Sequence, residues 1–197
     1  MPSPVSQPLD SCTAVTVDHP FRVLITHDTI LRRVREIGRA IQQDFPSEPP
    51  VGVVVIDGAR MFVRHLQRTL VRAMEWHELR ASSYGVGTTS SGTVTIGSQG
   101  DLCVAGRAVL IVEDIVDTGR TIAALRDRFL AQGAAQVRVA TLLSKPSRRV
   151  VDVALDYVGF EIPDEFVIGF GMDYAGRYRE LEEVVVYDEA RAASSGG

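Results

Sequence analysis

Glu113, Asp114 and Asp117 lie close together in the chain and run directly into Thr118-Gly119-Arg120-Thr121. Carboxylates this close repel one another, so each needs a partner that is not an anion. Ribose hydroxyls, a magnesium ion or a proton-donating base would serve. The Thr-Gly-Arg-Thr loop offers the complementary chemistry, backbone N–H and hydroxyl donors suited to phosphate oxygens. A sugar phosphate presents both kinds of group at once. The plainer alternative is a strand end with solvated acids. Acid-acid-x-x-acid passing straight into Thr-Gly-Arg-Thr is a more specific pattern than that alternative requires.

The elements around this stretch explain how it would be held. Val109-Leu110-Ile111-Val112 is an apolar, β-branched run, as expected of a strand buried on both faces of a parallel sheet. After the loop, Ile122, Leu125 and Phe129 mark one side of a helix, with Gly133 as its C-terminal stop. Strand, loop and helix place successive backbone N–H groups and a helix N-terminus around an anion. Upstream, Phe21 to Thr26 reads as a short strand. A helix then starts at Asp28 or Thr29, with Ile30, Val34, Ile37 and Ile41 on its buried face and Arg32, Arg35 and Arg39 on the other. Val51 to Ile56 is a second buried strand, and Asp57-Gly58 turns into a helix carrying Met61, Phe62, Leu66 and Leu70. Leu79 to Tyr84 and Thr93 to Ile96 read as paired strands, and Val137 to Leu143 as another strand ending at Lys145. Strands alternating with helices indicate an α/β fold with an open, mainly parallel twisted sheet flanked by helices. Ligands of such sheets bind at the carboxyl ends of the strands, where Glu113, Asp57 and Lys145 would all lie.

Composition narrows the function classes. The chain has 197 residues, 45% of them hydrophobic, enough for one good core. A net charge of -4 and a pI near 5.6 leave no footprint for general nucleic-acid binding. No apolar run approaches the roughly 20 residues that span a bilayer, and no secretory signal is expected at the N-terminus. Cys12 and Cys103 are too few and too far apart for a disulfide framework or a zinc site, so the cytoplasm is the expected compartment. Residues 1–19, with Pro2, Pro4 and Pro8, and residues 191–197 read as flexible tails around a single domain over 20–190.

Val112-Glu113-Asp114-Ile115-Val116-Asp117-Thr118-Gly119-Arg120-Thr121 resembles the phosphoribosyl-pyrophosphate motif of type I phosphoribosyltransferases. Tyr157-Val158-Gly159-Phe160-Glu161-Ile162-Pro163-Asp164-Glu165-Phe166-Val167-Ile168-Gly169-Phe170 resembles the hypoxanthine-guanine branch of that family, and the likeness extends over roughly Phe21 to Tyr187. The resemblance implies the family's sheet with a small hood, built from about 20–27 and 160–187. It also implies magnesium as cofactor and a homodimer or homotetramer as the assembly.

The same likeness suggests roles for individual residues. Glu113 and Asp114 would fix the ribose, directly or through magnesium, while Thr118 to Thr121 take its 5-phosphate. Asp117 would face N7 of the purine and accept its proton, although an Asp there could instead cap the following helix. Ile115, Lys145, Phe166, Val167 and Asp173 would form the purine site. Lys145 would lie beside the exocyclic oxygen, Phe166 would stack on the base, and Asp173 would also bind magnesium. An ammonium is only a donor, so it suits a 6-oxopurine and opposes the 6-amino group of adenine. By themselves, Phe166 and Val167 read as core strand residues. Asp57-Gly58 and Arg179 would bind pyrophosphate. Ser83-Tyr84, opening the Gly-rich stretch through Gly92, would cover the site as a lid; its plainer reading is an exposed hairpin tip.

The chain departs from the family pattern at three positions. Asp57 stands where Lys, Arg or a neutral residue is usual, which puts like charge near an anion unless its side chain turns away, for example to Arg60. Arg120 replaces the more usual Lys, and Arg64 sits where an acid is more usual. The implied reaction transfers the 5-phosphoribosyl group from phosphoribosyl pyrophosphate to a 6-oxopurine, hypoxanthine or guanine. Two rivals stand beside it. One is the same chemistry with xanthine preferred; the other is a nucleotide-sensing regulator that binds RNA through the Arg stripe and Arg148-Arg149.

Overall fold

The computed structural model describes residues 21–83, 94–96 and 102–187. Its main sheet has six strands in the order β4-β3-β2-β5-β6-β7. They are β2 (Val51–Ile56), β3 (Trp76–Ser83), β4 (Val94–Ile96), β5 (Ala108–Val116), β6 (Gln136–Ser144) and β7 (Tyr157–Glu161). All neighbours run parallel except β3 and β4, which pair antiparallel. A second, antiparallel sheet joins β1 (Phe21–Ile25), β9 (Val184–Tyr187) and β8 (Val167–Ile168) in the order β1-β9-β8. This small sheet is the hood. It draws its C-terminal part from Val167 onward, while Tyr157–Glu161 is the edge strand of the main sheet.

The unbroken apolar strands follow from burial on both faces. Val54, Ile56, Leu110 and Val112 point into one core with α1 (His27–Asp44) and α2 (Ala59–Gln67). Val53, Val55, Val109 and Ile111 point the other way, against Ile122, Leu125 and Phe129 of α3 (Arg120–Ala131). Because side chains alternate across a strand, every second residue feeds each core and none is left for water. As expected, Gly133 follows α3 in the left-handed conformation (φ 84°). β3 pairs with β4 but starts earlier than the sequence suggests, at Trp76.

Two features of the helices depart from the sequence reading. Leu70 lies beyond α2, which ends at Gln67; the Thr69 hydroxyl donates to the Leu66 carbonyl (2.7 Å) and closes the last turn. On α1, Ile30, Val34, Ile37 and Ile41 are buried and Arg32, Arg35 and Arg39 exposed, as their spacing predicts, but Arg33 is buried as well, at 8% exposure. Its guanidinium donates to the carbonyls of Gly159 (3.0 Å) and Val158 (2.7 Å) on edge strand β7, and to Glu36 (2.7 Å). Arg33→Ala leaves those carbonyls buried without this donor. Urea denaturation should show a loss of about 2–4 kcal/mol.

Candidate active site

The carboxyl ends of β2, β5 and β6, with the hood above, enclose a cavity of about 680 Å³. From β2 and its turn come Asp57 and Gly58; from β5 and beyond come Glu113, Asp114, Ile115, Asp117 and Thr121. Lys145 and Arg148 follow β6, Asp164 follows β7, and Phe166, Val167, Asp173 and Arg179 belong to the hood side. Residues far apart in the chain are thus gathered on one surface, as an open parallel sheet dictates.

The loop after β5 is shaped by its backbone. Gly119 has φ 84°, and a Cβ there would meet the Val151 carbonyl and the Arg149 side chain. It occupies the N-cap of α3 without a side-chain cap, so Asp117 does not cap this helix. The Thr118 carbonyl accepts from the N–H groups of Val150 and Val151 (both 3.0 Å), and the Val116 carbonyl from that of Lys145 (3.0 Å). These bonds sew 145–151 to the loop at the positive end of α3, where the Arg120 N–H donates to the Thr118 hydroxyl (3.4 Å). Thr121 lines the cavity; Thr118, Gly119 and Arg120 form the loop beside it.

The acids differ sharply in environment. Glu113 is only 8% exposed, and burial first, then the charge of Asp114, pushes its carboxyl well above the ordinary carboxylate range. The Asp114 N–H donates weakly to Glu113 Oε1 (3.3 Å), and Asp114 Oδ1 accepts from the N–H of Ile115 (2.9 Å). Asp114 presses on the turn after β2, where a Cβ on Gly58 would overlap its carboxylate. Asp117 Oδ1 accepts from Arg148 Nε (3.2 Å), and Asp164 bridges Arg148 (3.5 Å) and Lys145 Nζ (3.7 Å). Lys145, Asp164, Arg148 and Asp117 therefore form an alternating row of charges across the cavity.

The peptide bond between Ile56 and Asp57 is cis. Asp57 Oδ1 lies 3.3 Å from Arg60 and 3.8 Å from Arg80, so its charge is turned toward arginines. Arg60 also binds Glu78 through two hydrogen bonds (3.0 and 2.7 Å). Arg64 is exposed and lines a second cavity of about 440 Å³ with Asp57, Arg60 and Arg179. Arg179 pairs with Asp173 (2.7 Å) and donates to the Gly171 carbonyl (2.7 Å). Val167 is buried as expected, whereas Phe166 is 51% exposed. A plain core strand residue would not present its ring this way.

Sequence reasoning did not single out Asp164 or the pairing of Arg148 with Asp117; both depend on which strand ends become neighbours. Tyr84 and the stretch 85–92 lie outside the described residues, as does the side chain of Ser83. Among the described residues, no three His, Cys, Asp or Glu side chains stand together as a preformed metal cage. No helix among them is long and apolar enough to cross a membrane.

The buried glutamate has a thermodynamic consequence. An unfolded Glu ionises near pH 4.3 and the folded Glu113 only at higher pH, so between the two the folded state binds more protons. Stability due to this group is full below the unfolded value and declines as pH rises through the folded one. Glu113→Gln should flatten that decline and raise stability at pH 8 relative to wild type. Urea melts at pH 5 and pH 8 provide the comparison.

Comparison with known proteins matches this geometry. The family model described as "Phosphoribosyl transferase domain" fits residues 24–175. A hypoxanthine-guanine phosphoribosyltransferase of Streptococcus thermophilus is 40% identical over 168 residues, covering 85% of this chain and 93% of that protein. A hypoxanthine phosphoribosyltransferase structure from Staphylococcus aureus superposes with a TM-score of 0.80 at 34% identity, over 84% of this chain and 90% of the other. One from Trypanosoma cruzi, solved as a K68R mutant with the product IMP, gives a TM-score of 0.79 at 34% identity, over 89% and 94%. With a strand-loop-helix turn and an acid cluster at the sheet's carboxyl edge, these matches make the chain a member of the phosphoribosyltransferase family.

Proposed function

We propose that the chain transfers the 5-phosphoribosyl group of phosphoribosyl pyrophosphate to N9 of hypoxanthine or guanine, forming IMP or GMP and releasing pyrophosphate. The observation that carries this reading is the single cavity shared by the acids after β5, Lys145, Phe166 and Arg179. Its supports are the family membership and the relatives' own activities.

Each part of the substrates has a suitable partner. The N–H and hydroxyl groups of Thr118 to Thr121 hold the 5-phosphate at the N-terminus of α3. Asp114 and Glu113 take the ribose hydroxyls. The backbone at Asp57-Gly58 and the guanidinium of Arg179 receive pyrophosphate. The exposed ring of Phe166 stacks on the base, flanked by Ile115 and Val167. Lys145 donates to the 6-oxo group and Asp117 accepts the N7 proton as N9 bonds to the sugar. The base thereby supplies an acceptor for Lys145 in place of Asp164 and a donor for Asp117 in place of Arg148.

Asp114, Asp173 and Glu113 offer only oxygen donors, which suits magnesium, an ion that needs one or two carboxylates besides substrate phosphates. When bound, it neutralises charge on the departing pyrophosphate. Asp173 would hold the ion only by giving up its pairing with Arg179, which would free the guanidinium for pyrophosphate. Most of the rate gain comes from positioning and fixed charge. One catalytic domain over about 20–190, a homodimer or homotetramer, and a cytoplasmic setting accompany this reading.

A panel of hypoxanthine, guanine, xanthine and adenine with phosphoribosyl pyrophosphate and magnesium tests the assignment. Hypoxanthine and guanine should be consumed and adenine nearly refused; no nucleotide from any base overturns it, and a dominant xanthine product replaces it with the xanthine-preferring enzyme. Asp117→Asn should cut turnover about a hundredfold or more while the protein stays folded; steady-state rates beside a thermal melt decide this. Lys145→Ala should raise the Michaelis constant for hypoxanthine about tenfold and weaken the refusal of adenine, read from the ratio of kcat/KM for the two bases.

A further inference from the structure

Tyr187, at the end of β9, is the hub of a ring cluster that spans the hood. Its ring centroid lies 4.5 Å from that of Tyr174, 5.9 Å from Phe21, 6.1 Å from Phe166 and 6.2 Å from Tyr178. Phe166 and Tyr174 meet edge to face at 5.7 Å, and so do Phe21 and Tyr178 at 5.1 Å. These are separations at which aromatic rings attract. The cluster reaches both ends of the site. Phe166 itself lines the cavity, Tyr174 follows Asp173 in the chain, and Tyr178 precedes Arg179.

Backbone and ionic ties make this block one unit. The Tyr187 N–H donates to the Phe166 carbonyl (2.9 Å), and Phe21 stands opposite Tyr187 across the β1–β9 ladder. Arg22 clasps Glu165 with two hydrogen bonds (2.6 and 2.7 Å) immediately before Phe166. The Arg177 guanidinium sits 5.7 Å from the centre of the Tyr178 ring, and the Gly171 N–H donates to the Arg179 carbonyl (3.0 Å). Tyr187 itself is not among the residues that line the cavity. It can act on the site only through its neighbours.

We propose that Tyr187 is a positioning residue that couples the purine side of the site to its pyrophosphate side. Ordering Phe166 on a base settles the rings around Tyr187, and the same rings fix the backbone that carries Asp173 and Arg179. A ligand at either end therefore finds the other end already ordered, and the effect is reciprocal. The inference rests on the proposed function for the identity of the two subsites.

The test is the affinity of the protein for GMP, measured by titration calorimetry with and without saturating magnesium pyrophosphate, in wild type, Tyr187→Leu and Tyr187→Phe. Pyrophosphate should tighten GMP binding in wild type, and the ratio of the two affinities should fall about three- to tenfold in Tyr187→Leu. Tyr187→Phe, which keeps the ring, should retain the wild-type ratio. A merely structural role would weaken both affinities and leave the ratio unchanged, and that result overturns the coupling, as does a wild-type ratio of one. If Tyr187→Leu fails to fold, Tyr178→Leu removes a ring only on the pyrophosphate side and should lower the same ratio; an unchanged ratio there overturns the coupling too. Wild-type turnover is recorded in parallel. A wild type that makes no IMP overturns the proposed function and this coupling with it, whereas normal turnover with an unchanged mutant ratio overturns the coupling alone.

Discussion

Crowded negative charge at the end of β5 is the constraint to which the rest of the site answers. Glu113, Asp114 and Asp117 cannot all stand ionised and dry beside one another. Their environments separate them. Glu113 is sunk against the sheet and holds its proton more tightly, Asp114 leans on the glycine turn after β2, and Asp117 reaches a guanidinium from beyond β6. Asp57 and Asp164 bring further negative charge to the cavity, and each is met by cations. Asp57, Asp117, Asp164 and Asp173 are thus each paired with a cation. Ion pairs already in place spare the protein from burying bare charge.

The topology explains why these groups meet. Parallel strands deliver their carboxyl ends to one edge, so a turn, a cradle and a lysine separated by many residues become neighbours. The hood adds an exposed aromatic face and a further arginine, Arg179. Both sit on a segment tied back to β1 at the start of the described chain. Asp57 shows how a substitution that looks hostile to an anion is accommodated. Arg60 and Arg80 draw its carboxylate aside, while Glu78 steadies Arg60.

The parts legible in the sequence were those with local causes. The apolar run Val109–Val112, the glycine at 119 that a Cβ would block, and the helix that follows are all dictated within a few residues of one another. So are the buried stripe of α1 and the stop at Gly133. What escaped depends on long-range closure. Arg33 looks like one more member of a charged helix until β7 lies beneath it, and Asp164 looks like a turn residue until β6 delivers Lys145 and Arg148 beside it. Leu70 has the spacing of a helical position, but a threonine hydroxyl ends α2 before it. The exposure of Phe166 beside the burial of Val167 was not legible either, because Phe166 stands just before β8 and only the folded hood shows which residues of this apolar run the strand takes.

The Arg33 guanidinium also bears on the border of the main sheet. A border strand normally offers unpaired carbonyls that invite another chain to dock alongside, the first step toward edge-to-edge aggregation. In β7 the carbonyls of Val158 and Gly159 accept from Arg33 of α1. The border strand is thereby pinned to α1 as well as to β6.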